Sequence, residues 1–417
     1  MHILFLTDNF PPEVNAPASR TFEHCRAWVA AGHRVTVVTC APNFPSGRVH
    51  PGYRNRLWSR ETIEGVEVVR VWSFITANEG LFKRSLDYAS YMVGAVLAAP
   101  FVRGVDIVVA TSPQFFTACA GAIVAAARRK PFVFEVRDLW PESIRAVGAL
   151  ANEQVLNWLE RLELFLYRRA SAVVAVTHAF RDNLTRRGVD GAKIHVVTNG
   201  ADLTRFAPIP RDAELARSHG LTDKFVAGYI GTHGMAHALD TLLEAAARLE
   251  AHPEGQSVRL LMLGDGATKQ ALKAQARAMG LTSVVFLDSV AKSEVARYWG
   301  LLDVSIIHLR KAELFATVIP SKLFEGMAMG VPVAHGVPGE SAMIVEREGV
   351  GLTFESENAD SLVEALLTLA RDHALRAEHA RRALDAAARY DRAVLADQML
   401  AVLERVGRPA ARFTPAE

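Results

Sequence analysis

The stretch Asn199-Gly200-Ala201-Asp202-Leu203-Thr204-Arg205-Phe206-Ala207-Pro208-Ile209-Pro210 divides the chain into two stretches of the same pattern. Two prolines a residue apart fix φ and supply no N–H to a ladder, so the run reads as a turn leading into a linker. Before it, short apolar runs recur at 3–7, 35–39, 66–71, 107–110, 132–136, 172–176 and 194–197. After it they restart at 225–230, 259–263, 284–287, 304–307 and 331–334. Longer helical stretches lie between. One spans 17–31, with Phe22, Cys25 and Val29 on one face and Gly32 ending it. Another carries Leu239, Leu242, Leu243, Ala246 and Leu249 at helical spacing. Continuous apolar strands separated by helices predict parallel sheets covered on both faces. The expected fold class is α/β, with two Rossmann-like domains at 1–204 and 205–388. From Asp360 onward the pattern is helical; a last segment, 389–417, is expected to return to the first domain, with a frayed tail from Pro409. Ligands of such sheets sit at the carboxyl ends of the strands, so the chemistry is sought in the loops there, facing a cleft between the domains.

Composition narrows the function. The 417 residues exceed one ordinary core, half of them are hydrophobic and 22% are charged, as in a soluble globular protein. A net charge of +2 and the short basic runs Arg128-Arg129-Lys130 and Arg186-Arg187 give no basic face, so no nucleic-acid partner is expected. Cys25, Cys40 and Cys119 are odd in number and widely spaced, which suits a reducing compartment and offers no zinc site. The start, His2-Ile3-Leu4-Phe5-Leu6, lacks the pattern of a secretory signal, and a cytoplasmic location is expected. The segment 88–102 is nearly free of charge but shorter than the ~20 residues of a spanning helix. It is either a core helix or a surface helix touching a bilayer or a lipid-linked substrate.

Three loops carry candidate chemistry. The loop Thr7-Asp8-Asn9-Phe10-Pro11-Pro12-Glu13-Val14-Asn15-Ala16 follows the first strand without the GxGxxG of a dinucleotide site, which argues against a dehydrogenase and leaves the loop, with Asn15, for an acceptor. Tyr229-Ile230-Gly231-Thr232-His233-Gly234 is a strand and glycine turn, read either as amides approaching a phosphate or as a structural turn; Leu263-Gly264-Asp265-Gly266 is read as structural. The strongest feature is Thr317-Val318-Ile319-Pro320-Ser321-Lys322-Leu323-Phe324-Glu325-Gly326-Met327. Pro320 at the first helical position would leave the amides of the first turn for a diphosphate, and Glu325 on the same helix suits a pair of ribose hydroxyls.

With these motifs the chain resembles glycosyltransferase family 4, retaining enzymes of GT-B architecture, over nearly its whole length. The matching stretches are Pro11-Pro12-Glu13, Gly32-His33-Arg34-Val35, Asp138-Leu139-Trp140-Pro141-Glu142-Ser143, Asn199-Gly200-Ala201-Asp202, Gly231-Thr232-His233-Gly234 and Pro320 to Glu325. It is similar in particular to the bacterial branch that builds surface polysaccharides, N-acetylfucosamine transferases included. The resemblance implies an acceptor-binding first domain, a donor-binding second domain, and sugar transfer from a nucleoside diphosphate, UDP above all, with retained configuration. An N-acetylated amino sugar and a glycan or polyprenyl-diphosphate-linked acceptor fit that branch, as does peripheral contact with the inner face of the membrane.

Carried over by position, Glu325 matches the second glutamate of the family's Glu-x7-Glu motif, while Thr317 stands at the first. The usual Arg and Lys after the glycine turn fall on Thr232 and His237, so Lys322 and Lys292 are the candidates to offset the diphosphate. The family's His-Asp pair reads Arg137-Asp138: the arginine can hold a phosphate, and Asp138 can orient or deprotonate an acceptor hydroxyl, unless the two merely brace the loop. His178 and Asn199 complete the candidates lining the cleft, and no Asp-x-Asp follows a strand, so neither metal nor other cofactor is expected. A nucleotide-sugar epimerase of the same fold and an inactive donor-binding scaffold are the alternatives.

Overall fold

His2–Leu6 (β1) is wholly buried apolar sequence, and it sits at the centre of the first sheet, paired in parallel with Arg34–Cys40 (β2) and Ile107–Thr111 (β5). The computed structural model describes residues 1–44, 46–76, 81–142, 145 and 152–407. Trp58–Ile63 (β3) and Val66–Val71 (β4) extend the sheet on one side; Phe132–Val136 (β6), Ala172–Ala175 (β7) and Ile194–Val196 (β8) extend it on the other. The order is β3-β4-β2-β1-β5-β6-β7-β8. All neighbours are parallel except β3 and β4, a hairpin turned at Glu64-Gly65. Its strand Trp-Ser-Arg-Glu-Thr-Ile alternates at the sheet edge, without the continuous apolar run that marks the other strands, and so escaped the sequence reading.

The helix Ala16–Ala30 also differs from expectation. Its fully buried face carries Thr21, Cys25 and Trp28 together with Arg20, Glu23 and His24, whereas Phe22 and Val29 are only partly buried. Arg20 and Glu23 can be buried there because each meets a partner, whereas the Thr21 hydroxyl and Nε2 of His24 have no hydrogen-bond partner among the described residues. Arg20 donates Nε to Glu135 at 2.9 Å, Nη1 to the Thr198 carbonyl at 2.7 Å and Nη2 to the Val197 carbonyl at 3.0 Å. The helix Arg392–Gly407 packs on this one: Ala396 accepts from the Trp28 indole N–H at 2.9 Å, and Arg392 pairs with Glu23.

The first compact unit comprises Met1–Thr198 with the chain from Arg392 onward, and the second comprises Asn199–Asp391. The sequence reading put these divisions at 204/205 and 388/389. The tail from Pro409 and Ser143 fall outside the described residues. In the second unit Phe225–Ile230 (β9), Val258–Leu263 (β10), Val284–Leu287 (β11), Val304–His308 (β12), Val333–Gly336 (β13) and Gly351–Thr353 (β14) form a parallel sheet ordered β11-β10-β9-β12-β13-β14. β14 is three residues long and was too short to be read from sequence. Leu242, Leu243, Ala246 and Leu249 line the core-facing side of the helix Asp240–Ala251, as their spacing predicts, and Leu239, at its N-cap, packs into the same core. Where this unit's chain begins and ends, Ala201 and Asp391 form a parallel bridge, with Ala201 N–H donating to the Tyr390 carbonyl at 3.0 Å.

Candidate functional site

In the second unit the site is built at the carboxyl end of β9. Gly231 follows that strand with φ of +144°, a conformation open to glycine, and a Cβ there would lie 3.1 Å from the Lys322 amine. The turn does not offer all its amides. Gly231 N–H donates to the Leu263 carbonyl at 2.9 Å and His233 N–H to the Asp265 carbonyl at 2.8 Å. The second glycine turn is what consumes them, and it packs so tightly that a Cβ on Gly264 would sit 1.9 Å from the Gly231 oxygen. Thr232 accepts from the Tyr229 hydroxyl through its carbonyl at 2.8 Å.

The helix expected to begin at Pro320 runs Lys322–Met329, with Ser321 at its N-cap and Pro320 one residue further out. Leu323 N–H donates to Pro320, and the Phe324 and Glu325 amides donate to Ser321, so the first turn is largely closed on itself. The amides of Ser321 and Lys322 carry no such bond among the described residues. Ile319 is a core residue, 4% exposed. Thr317 closes a local turn by donating its hydroxyl to the Leu314 carbonyl. Glu325 is partly exposed and close enough to Lys322 to act on it electrostatically. Lys292 lies in the turn between β11 and the helix Val295–Trp299.

Lys322 dominates this site. Its Nζ is buried, lies 3.7 Å from the centre of the Tyr229 ring, and has no hydrogen-bond partner among the described residues. Burial drives its pKa down to about 7, with Glu325 pulling weakly the other way. The ring face returns part of the lost hydration, worth roughly 0.5–2 kcal/mol for such contacts, well short of a solvation shell. His233 and His237 flank the same tyrosine at 5.8 Å between ring centres. Both are held neutral, with pKa values near 4, by burial first and then by neighbouring positive charge, Lys322 included. Both ring nitrogens of His233 and Nδ1 of His237 are buried and also without partners among the described residues.

In the first unit Arg137 and Asp138 follow β6, with both backbone amides donating to the Ser112 hydroxyl, at 2.7 and 3.1 Å. Nε and Nη1 of Arg137 are buried without a partner among the described residues, and burial lowers its pKa to about 10 against the opposing pull of Glu135. Asn15 caps the helix Ala16–Ala30 through Ala18 N–H at 2.8 Å and donates to Asn9, so its first duty is to shape the loop. His178 is exposed at the start of the helix His178–Arg186, whose cap is Thr177. Asn199, partly buried, is the first residue of the second unit.

Two family models match in succession: the glycosyl transferase 4-like domain over residues 15–200 and glycosyl transferases group 1 over residues 224–372. The chain belongs to the family 4 glycosyltransferases. This glycosyltransferase is 23% identical to the Escherichia coli protein described as a putative colanic acid biosynthesis glycosyl transferase, WcaI, over 92% of this chain and 97% of that one. It is 32% identical to the D-inositol 3-phosphate glycosyltransferase of Rhodococcus opacus over 51% of this chain and 49% of that one. Its fold matches that of Anabaena Alr3699/HepE, solved in complex with UDP and glucose, with a TM-score of 0.71 at 20% identity, covering 97% of this chain and 100% of that one. The architecture is thus GT-B. Among the described residues of the glycosyltransferase no helix is long and apolar enough to cross a membrane.

Sequence reasoning missed Tyr229. A tyrosine inside a buried strand reads as core, and only the fold reveals the amine over its ring. It also missed Asp8 and Asp87, which the fold brings to one cavity from positions far apart in sequence.

Proposed function

We propose that the enzyme transfers a sugar from a uridine diphosphate donor, held in the second unit, to a glycan acceptor held in the first, with retained configuration and in the assembly of a surface polysaccharide. One observation carries the donor half: the buried, unpartnered Lys322 amine against the Gly231 turn. A dry cation without an anion is unfavourable, and a diphosphate is the ligand that would relieve it. As the bond from the anomeric carbon to the diphosphate breaks, the electron pair stays on the departing oxygen, where the ammonium group meets the growing charge. The acceptor oxygen bonds to the same face and gives up its proton, with Asp138 as the candidate to orient it and Arg137 as a phosphate contact. Glu325 is assigned the ribose hydroxyls, and neither metal nor other cofactor is invoked. The UDP complex of the Anabaena fold relative and the polysaccharide role of the Escherichia coli relative support this reading.

The test is donor binding and turnover. Replacing Lys322 by Met is expected to weaken UDP binding roughly tenfold to a hundredfold, the worth of a charge-assisted hydrogen bond. Glu325→Ala is expected to abolish measurable transfer; full-rate turnover would remove Glu325 from the site. Isomerised donor in the absence of acceptor would favour the epimerase instead.

A second reading concerns location. The helix Leu81–Ala98 buries Tyr91 and Ala95 yet bares Val93 and Leu97, and Phe101 follows it at 67% exposure. With Leu57, Trp58 and Trp72 they line an apolar groove. Arg60 stands exposed at its margin, over the Trp58 ring and bonded to the Phe101 carbonyl, and Arg56 and Arg103, also exposed, lie one and two residues along the chain from Leu57 and Phe101. An apolar groove with an arginine rim suits the interface of an anionic bilayer. Flotation with phosphatidylglycerol vesicles at low salt is expected, and is expected to be lost in a Leu97→Glu, Phe101→Glu double variant. Equal flotation with neutral vesicles would overturn the electrostatic part.

A further inference from the structure

The first unit contains a second built cavity that the donor half does not use. It measures about 310 Å³, at the small end of the roughly 300–1,000 Å³ typical of small-molecule sites. Its lining is unusual in kind: four acids, Asp8, Glu13, Asp87 and Asp138, face a single cation among the described residues, Arg84, with Tyr88 and Trp140 among the aromatics. The acids come from separate elements: the loop after β1, the helix Leu81–Ala98, and the loop after β6.

These groups are held in place. Glu13 is 4% exposed; its Oε1 accepts from the amides of Asn43 and Phe44 at 2.8 and 2.9 Å, while Oε2 is buried with no partner among the described residues. Trp140 is stacked on Phe115 at 5.5 Å with planes 7° apart. Arg84 donates to the Tyr88 hydroxyl at 3.2 Å. Tyr91 at the base donates to the Thr7 and Val38 carbonyls, so it is structural. Among the described residues the carboxylates do not converge as ligands of a metal ion. A carboxylate is an acceptor only, and crowding several at one cavity calls for a ligand rich in donors. Aromatic rings beside them call for an apolar face. Hydroxyl edges and a C–H face together describe a sugar ring.

We propose that this cavity is the acceptor subsite: it takes one uncharged sugar residue, whose hydroxyls donate to Asp8, Glu13 and Asp87 and whose face lies against Tyr88 or Trp140, and it rejects sugars bearing a carboxylate or phosphate. The inference rests on the acceptor being held in the first unit. It adds the residues and the charge class of the acceptor. Burial and the charge of Asp8 raise the Asp87 pKa to about 7, so part of this acid is already protonated near neutrality, and a further anion would be met by repulsion. A diphosphate-linked acceptor would place its first sugar here and its phosphates elsewhere.

The experiment uses the full chain and ligand-observed NMR with paired p-nitrophenyl glycosides: glucoside against glucuronide, and galactoside against galacturonide, with UDP titrated in parallel. A neutral glycoside is expected to bind at least about tenfold better than its uronide partner, the worth of one hydrogen bond to a charged group. Asp8→Asn and Asp87→Asn are expected to weaken the neutral glycoside and narrow the gap to the uronide, with UDP binding unchanged. Uronides binding as well as neutral sugars, or neutral sugars binding equally to both variants, would overturn the proposal. UDP failing to bind the parent chain while a neutral sugar still does would instead overturn the donor assignment of the second unit and uphold this one.

Discussion

Each unit buries a cation at the end of its sheet, and the two are treated in opposite ways. In the first, Arg20 and Glu135 are 4% and 1% exposed and bonded to each other, and the arginine also reaches two carbonyls at the end of β8. In the second, the Lys322 amine is buried against an aromatic ring with no hydrogen-bond partner among the described residues. A satisfied buried charge fastens strands together. An unsatisfied one is a standing penalty that persists where a ligand relieves it. Arg137, with two buried nitrogens unpartnered among the described residues, belongs with Lys322 rather than with its neighbour Arg20.

The contrast predicts opposite signs for similar substitutions. Arg20→Met strands Glu135 in the core and is expected to cost about 3–5 kcal/mol in urea unfolding, the usual penalty for breaking a buried pair. Lys322→Met is expected to stabilise the ligand-free protein at pH 7 while weakening UDP. If both variants lose stability equally, the distinction between fastened and held charge is wrong.

A pH series sharpens it. The folded pKa of Lys322, about 7, lies below its ordinary 10.5, so the unfolded chain binds the extra proton between those values. Wild-type stability is therefore expected to rise with pH from about 7 to 10.5, by up to about 1.4 kcal/mol per pH unit, relative to Lys322→Met. The penalty is present in full below pH 7. A constant difference between the two proteins across that window would contradict it. The smallest effect belongs to Asp87, whose folded pKa of about 7 stands above its ordinary 3.8. Here stability is lost as pH rises through 7, so Asp87→Asn is expected to raise the melting temperature by ~1–3 °C at pH 8 and by nothing at pH 4.

Much of the fold was legible because its strands are buried on both faces and read as unbroken apolar runs, Ile3-Leu4-Phe5-Leu6 and Ile107-Val108-Val109-Ala110 among them. What escaped were elements that break that rule: the alternating edge strand β3 and the three-residue β14. At the site, the sequence points to the run around Lys322 but not to its buried amine. The sequence suggests free helix amides, whereas the folded helix uses most of them itself and what stands unpartnered among the described residues is the lysine amine. Which amides a turn consumes depends on the second glycine turn, Gly264 to Gly266, packed against it from another strand. No local pattern encodes that.

The chain leaves the first unit after Thr198 and returns to it only at Arg392. A ribosome adding about 5–20 residues per second needs roughly 10–40 s to make the intervening stretch. Through that interval the nascent first sheet lacks the helix Arg392–Gly407, and the Trp28 indole N–H has no Ala396 carbonyl to meet. The second unit, whose ends bridge at Ala201 and Asp391, can close beforehand. The second unit is thus expected to close before the first, and the helix face around Trp28 stays open to chaperones until Arg392–Gly407 has been translated.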